Sequence, residues 1–222
     1  MPALRIAALA SGRGSNLAAL LDACADGRID GKFVLLASDK AKCAALTVAA
    51  EAGVPTLALR PGDYPDRRSF DHALFDALAA SNADLLVLAG YMRIIDPSVL
   101  MPWAGRAVNV HPSLLPLYRG LHTHAQALAA GDAEHGASVH FVTAELDGGP
   151  VLAQARISIG PGDTEATLAT RLLVHEHRLL PAVVGAIAAG RIAWNEGNPT
   201  FDGRAIDTPL TLCSDGSLGA AT

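Results

Sequence analysis

Asn109 and His111 stand two residues apart in the run Asn109-Val110-His111-Pro112-Ser113-Leu114-Leu115-Pro116. In an extended chain, residues i and i+2 point to the same side, so an amide and an imidazole converge on one point. That pair suits acyl chemistry: the amide NH2 stabilises a developing oxyanion, and the imidazole exchanges protons near neutral pH. No Gly-x-Ser-x-Gly elbow and no reactive-cysteine signature accompanies the pair, which favours direct transfer over a covalent acyl-enzyme. A histidine that merely hydrogen-bonds its own loop would leave the same trace.

Two further runs carry chemistry. Ser11-Gly12-Arg13-Gly14-Ser15-Asn16 lies between an apolar run and a helical one. Glycine there permits positive φ and close approach of a ligand, and free amides at a helix start attract a phosphate. Leu17 replaces the third glycine of a dinucleotide fingerprint and the triphosphate-loop pattern is missing, which favours a simple monophosphate. A tight turn capped by Ser15 or Asn16 is the plainer alternative. Asp147, in Leu146-Asp147-Gly148-Gly149-Pro150, is either a turn-former or a carboxylate held near His111 to orient its ring.

A metal is not expected. Five of the eight histidines fall between His111 and His140, but His-x-His spacing at 122–124 and 175–177 does not share a helix face, and no His-Glu-x-x-His pattern occurs. Glu176 by default is a solvated or capping carboxylate.

These groups need a scaffold. Apolar runs at 5–10, 33–37, 56–60 and 84–90 alternate with helical patterns at 17–24, 43–52 and 67–80. Strands apolar along their whole length imply a mostly parallel sheet covered on both faces, an α/β doubly wound architecture. In such sheets ligands bind beyond the carboxyl ends of the strands, which is where Asn109 and His111 emerge from a strand at 107–110. A loop to Gly120, a helix at 123–130, strands at 138–142 and 151–157, and a long helix at 164–189 complete the pattern. The polar segment 194–222 is expected to be a loosely attached tail.

Composition narrows the partners. The chain has 222 residues, 50% hydrophobic, enough for one sizeable core. Seventeen Lys plus Arg against twenty-two Asp plus Glu leave no basic stripe, so no nucleic-acid partner is expected. Three scattered cysteines fit a reducing cytoplasm. No apolar run approaches the roughly 20 residues of a membrane span, and no signal peptide is read.

Five ordered motifs together strongly resemble the phosphoribosylglycinamide formyltransferase family: Gly12-Arg13-Gly14-Ser15-Asn16-Leu17, Ala89-Gly90-Tyr91-Met92-Arg93-Ile94, Asn109 to Pro116, Gly120-Leu121-His122-Thr123-His124, and Val139-His140-Phe141-Val142 to Pro150. The likeness spans residues 4 to about 193, with compatible spacing. It implies a formyltransferase-like Rossmann variant over 1–193, with a phosphate-loop half at about 1–105 and a folate and catalytic half at about 106–193.

The implied reaction passes a formyl group from 10-formyltetrahydrofolate, a co-substrate, to the amine of phosphoribosylglycinamide in purine synthesis, without a metal. By matching motifs, Asn109, His111 and Asp147 take catalytic roles; Gly14, Ser15, Asn16 and Glu176 contact the ribonucleotide. Arg67, Met92, Arg93, Ile94, Ile95 and Asn109 bind the reduced folate. Leu173 stands where relatives often carry a polar side chain near the phosphate. A homodimer is left open. Rival readings are a formyltetrahydrofolate hydrolase, a methionyl-tRNA formyltransferase, for which about 30 residues after the last helix are too few, and a non-catalytic nucleotide-binding module.

Overall fold

A computed structural model describes residues 2–195 and 197–220. Strand β1 (Leu4–Leu9) buries its last four residues completely and leads through the glycine turn into α1 (Ser15–Ala25). Leu17, Leu20 and Ala23, spaced by three, form the buried stripe of that helix. The unit recurs as β2 (Gly31–Ser38), α2 (Ala44–Glu51) and β3 (Thr56–Ala58), then α3 (Arg67–Ala80). The Asp66 carboxylate accepts from the Ser69 amide at 2.7 Å and starts α3 where the sequence pattern places it.

The wholly buried β4 (Leu85–Leu88) is followed by the short α4 (Pro97–Leu100) and by β5 (Ala107–His111). Next come α5 (Thr123–Ala130), β6 (Glu134–Phe141), β7 (Val151–Ser158) and the long α6 (Glu165–Ala188). Strand β6 begins four residues earlier than its apolar pattern suggests. Pairing with β7 recruits His135 and Gly136 opposite Ile157 and Arg156.

The main sheet has nine strands in the order β12-β11-β7-β6-β5-β4-β1-β2-β3. Pairings from β3 to β5 are parallel, whereas β6 runs antiparallel to both β5 and β7. The chain winds outward from β1 to β3 in one direction and restarts beside β1 with β4 in the other. A crevice therefore opens between the carboxyl ends of β1 and β4. The mostly parallel doubly wound sheet expected from the apolar runs is the observed one.

The expectation of a loose tail after residue 194 is corrected. Strands β8 (Ile192–Asn195), β9 (Asn198–Phe201) and β10 (Arg204–Ala205) form a small antiparallel sheet, and β11 (Leu210–Leu212) joins the main sheet parallel to β7, with β12 (Leu218–Gly219) beyond it. Polar composition hid the anchors. Trp194 packs edge-on to Phe141 with ring centroids 5.0 Å apart, and Leu210 and Leu218 belong to the main apolar core. Arg178 of α6 donates to the carbonyls of Cys213 and Ser214 at 3.2 and 2.7 Å.

Removing residues 207–222 should therefore lower unfolding stability by about 3–5 kcal/mol, the burial of two leucines and part of a third. Urea denaturation of the full and shortened chains measures this; an unchanged midpoint contradicts the attachment.

Candidate active site

Three loops meet at the crevice, and Ser11 ties them together. Its amide donates to the Gly90 carbonyl at 3.0 Å, and its hydroxyl donates to Asp39 at 2.6 Å while accepting from the Met92 amide at 3.2 Å. The loops after β1, β2 and β4 are thus fixed relative to one another.

Gly14 adopts φ +81° at the start of α1, and a Cβ there would lie 2.7 Å from the Ala45 Cα. Only glycine fits both demands. No side chain caps the helix, and its first backbone bond runs from Ala18 to Gly14, so the amides of Ser15, Asn16 and Leu17 have no intrahelical acceptor. This is the arrangement that receives a phosphate.

Asn16 extends the site towards α6, donating from Nδ2 to Glu176 Oε2 at 2.9 Å, while its buried Oδ1 has no hydrogen-bond partner. Glu176 is neither solvated nor a cap. It is 8% exposed, in the buried stripe with Leu172, Leu179, Leu180 and Val183. Burial pushes its carboxyl above the usual range; the Asn16 hydrogen bond and the His111 charge only partly offset this. Leu173, half-buried on the same helix, adds no polar group.

The Asp147 carboxylate organises the second half of the site. Its Oδ2 accepts from the Gly120 amide at 2.9 Å and lies 3.4 Å from His111 Nδ1. Its Oδ1 lies 3.5 Å from Asn109 Nδ2 and 3.6 Å from His140 Nε2. His111 Nε2 donates to the Tyr118 carbonyl at 2.9 Å, so both ring nitrogens face oxygen acceptors. Burial pushes the Asp147 carboxyl up, but contacts to His140, the Gly120 amide and His111 outweigh it and hold it below the usual carboxylate range. Asn109 and His111 thus face one side of β5 as their spacing suggested, and of the two readings left open for Asp147 the structure has its carboxylate beside both.

Sequence reasoning assigned no role to His140. Antiparallel pairing sets it directly opposite Asn109, whose Nδ2 lies 3.1 Å from His140 Nε2, while His140 Nδ1 donates to the Phe141 carbonyl. Only the strand register reveals the pair. Arg119 and Glu145, which form an ion pair between the two loops flanking His111, were likewise not singled out.

Beside Asn109 and Asp147 lies a cleft of about 120 Å³ lined by Leu88, Ile94, Ile95, Leu100 and Val142, with Arg93 at its wall. The apolar slot with a polar end fits a flat heteroaromatic group. Of the positions expected to bind folate, Arg93, Ile94, Ile95 and Asn109 line it; Met92 is 65% exposed and Arg67 opens α3 on the surface, both outside the lining. A larger cleft of about 740 Å³ between α6 and the 214–218 turn contains none of the expected residues. Its Arg28 and Arg191 pair with Asp26 and Asp202, and its Arg178 is spent on backbone carbonyls.

Among the described residues no group of three or more His, Cys, Asp or Glu side chains could hold a metal ion, and no helix is long and apolar enough to cross a membrane.

Comparison with known proteins places the same residues in one family. The formyl transferase family model matches residues 4–184. Phosphoribosylglycinamide formyltransferase of Escherichia coli K12 is 43% identical over 203 residues, covering 91% of this chain and 96% of the relative. The Mycobacterium tuberculosis enzyme of that name is 46% identical over 184 residues, 83% of this chain and 85% of the relative. A solved phosphoribosylglycinamide formyltransferase structure from Coxiella burnetii superposes with a TM-score of 0.88 at 38% identity, over 98% of this chain and 99% of that one. A glycinamide ribonucleotide transformylase structure from Symbiobacterium toebii gives 0.86 at 42% identity, over 89% and 93%. The matched span carries the glycine loop, the Asn109, His111 and Asp147 cluster and the apolar cleft beside that cluster, and the chain belongs to the formyl transferase family.

Proposed function

We propose that the chain transfers a formyl group from 10-formyltetrahydrofolate to the primary amine of 5-phosphoribosylglycinamide, a step of purine synthesis. The observation that carries this reading is the Asp147 carboxylate, which gathers Asn109 and His111 at the junction of an anion-binding helix start and an apolar cleft. The relatives' names supply the acceptor and the group transferred, the motif resemblance implies the folate donor, and the site offers a place for each. The acceptor's phosphate sits on the amides of Gly14, Ser15 and Asn16, with Glu176 facing its sugar. The donor's ring system enters the cleft of Ile94, Ile95 and Leu100. On this reading the donor cleft is built from both halves of the chain, because Leu88 to Leu100 precede residue 105.

The acceptor amine attacks the formyl carbon and a new C–N bond forms as the carbonyl π pair moves onto oxygen. Asn109 Nδ2 donates a hydrogen bond to that oxyanion, and His111 adds a second when its Nε2 exchanges the Tyr118 carbonyl for the reacting oxygen. Asp147 balances positive charge on His111, and its burial among fixed partners spares the site reorganisation during reaction. The carbonyl re-forms, the bond from the formyl carbon to the folate nitrogen breaks, and the proton lost by the amine reaches that nitrogen directly or through water. The products are tetrahydrofolate and the formylated ribonucleotide. The donor is consumed as a co-substrate, and no step calls for a metal. The chain works on small molecules in the cytoplasm on this reading.

His111→Ala should lower kcat by about 10²–10⁴-fold while ribonucleotide affinity changes less than about fivefold. Steady-state kinetics with binding calorimetry measures both, and turnover like that of the natural chain would refute the role. Glu176 yields a stability prediction of opposite sign. Its native carboxyl titrates above its unfolded range, so what it contributes is present at low pH and lost as pH rises through the native value. Glu176→Gln should raise Tm at pH 7, leave it unchanged at about pH 4, and weaken ribonucleotide binding. A fall in Tm at pH 7 would contradict this account.

A further inference from the structure

The cleft wall formed by residues 91–96 belongs to no helix or strand, so no backbone ladder sets its course. Its amides are held at the two ends: Met92 donates to the Ser11 hydroxyl, and Asp96 donates to Asp71 Oδ2 at 2.8 Å. Asp71 lies on α3 and is fully buried. Burying a carboxylate is costly unless charge or hydrogen bonds compensate, and apolar side chains would fill the same volume without that cost. Burial pushes its carboxyl up, while the Asp96 amide and the charges of Arg67 and Arg93 act against the shift.

The neighbours of Asp71 in sequence fasten the same segment. Phe70 presents its ring 5.3 Å beneath the Arg93 guanidinium, and His72 Nε2 is hydrogen-bonded to the Ser98 hydroxyl at 3.2 Å. Three consecutive residues of α3 thus grip 93–98. At this wall Asp71 Oδ1, Arg93 Nε and the Tyr91 hydroxyl are each buried without a hydrogen-bond partner. Such orphans are rare in native proteins, and three from adjoining elements mark the wall as shaped for more than packing.

We propose that Asp71 is a positioning residue for the formyl-donor cleft, pinning the Asp96 amide with one oxygen and holding Arg93 in the wall through its charge. The inference rests on the reading of this cleft as the donor site. It places the specificity of the donor half under a residue with no surface in the cleft. The Phe70 ring and the Asp71 carboxylate act on Arg93 together, the ring as platform and the carboxylate as counter-charge.

Asp71→Ala and Asp71→Asn should be compared with the natural chain in formyl transfer, in calorimetric binding of tetrahydrofolate, and in Tm. Asp71→Ala should raise the donor KM and the tetrahydrofolate Kd by about tenfold, with the ribonucleotide KM within about twofold. Asp71→Asn keeps an oxygen for the Asp96 amide but loses the charge, and should raise both donor constants about threefold. Should the alanine variant fail to fold, the asparagine variant decides alone. Unchanged donor constants in Asp71→Asn, or equal losses for donor and ribonucleotide, overturn the proposal. If the natural chain itself neither binds tetrahydrofolate nor transfers a formyl group, the proposed function fails instead.

Discussion

The carboxylate of Asp147 is the constraint on which the site depends. Four groups from three segments converge on its two oxygens: the Gly120 amide, His111, Asn109 and His140. To get there the residue takes φ +46°, a left-handed conformation that aspartate tolerates better than most side chains. The turn that follows needs glycine, since a Cβ on Gly149 would lie 1.8 Å from the Phe141 carbonyl oxygen. The turn between β6 and β7 is thereby folded tightly enough to return a carboxylate to the end of β5. Without that return, Asn109 and His111 would share a strand face but no common charge.

The sheet supplies the rest. Winding outward from β1 opens a crevice at the carboxyl ends of β1 and β4, and Ser11 locks the loops there. Antiparallel pairing of β5 and β6 adds His140 opposite Asn109. Helix α6 spans both halves: its apolar stripe covers β6 and β7, and Glu176 within that stripe meets Asn16 of the glycine loop. The proposed chemistry therefore sits on strand ends and is closed over by loops, with Glu176 buried beside the glycine loop.

Much of this was legible in the residues. Alternation of apolar runs with helical patterns set out the doubly wound sheet, and the i, i+2 spacing of Asn109 and His111 put both on one side of β5. Local signals also marked the glycine turn at the start of α1. What stayed hidden depends on partners distant in the chain. His140 gains meaning only from strand register, Glu176 looked like an ordinary helical carboxylate until α6 was seen to bury that face, and Asp71 matters through an amide 25 residues away. The segment after residue 194 reads as polar and punctuated, yet a few anchors, Trp194, Leu210 and Leu218, secure it to the core. Met92 and Arg67, at motif positions, lie outside the lining of this cleft.

The central claim is that the Asn109, His111 and Asp147 cluster carries a formyl group directly between two small molecules bound on either side of it. Absorbance at the folate product, followed with 10-formyltetrahydrofolate in the presence and absence of phosphoribosylglycinamide, tests this most directly. The account predicts release of tetrahydrofolate that depends on the acceptor and matches formylated ribonucleotide one for one. Release at the same rate without the acceptor would show water as the acceptor, and no release under either condition would show a binding module; both contradict it.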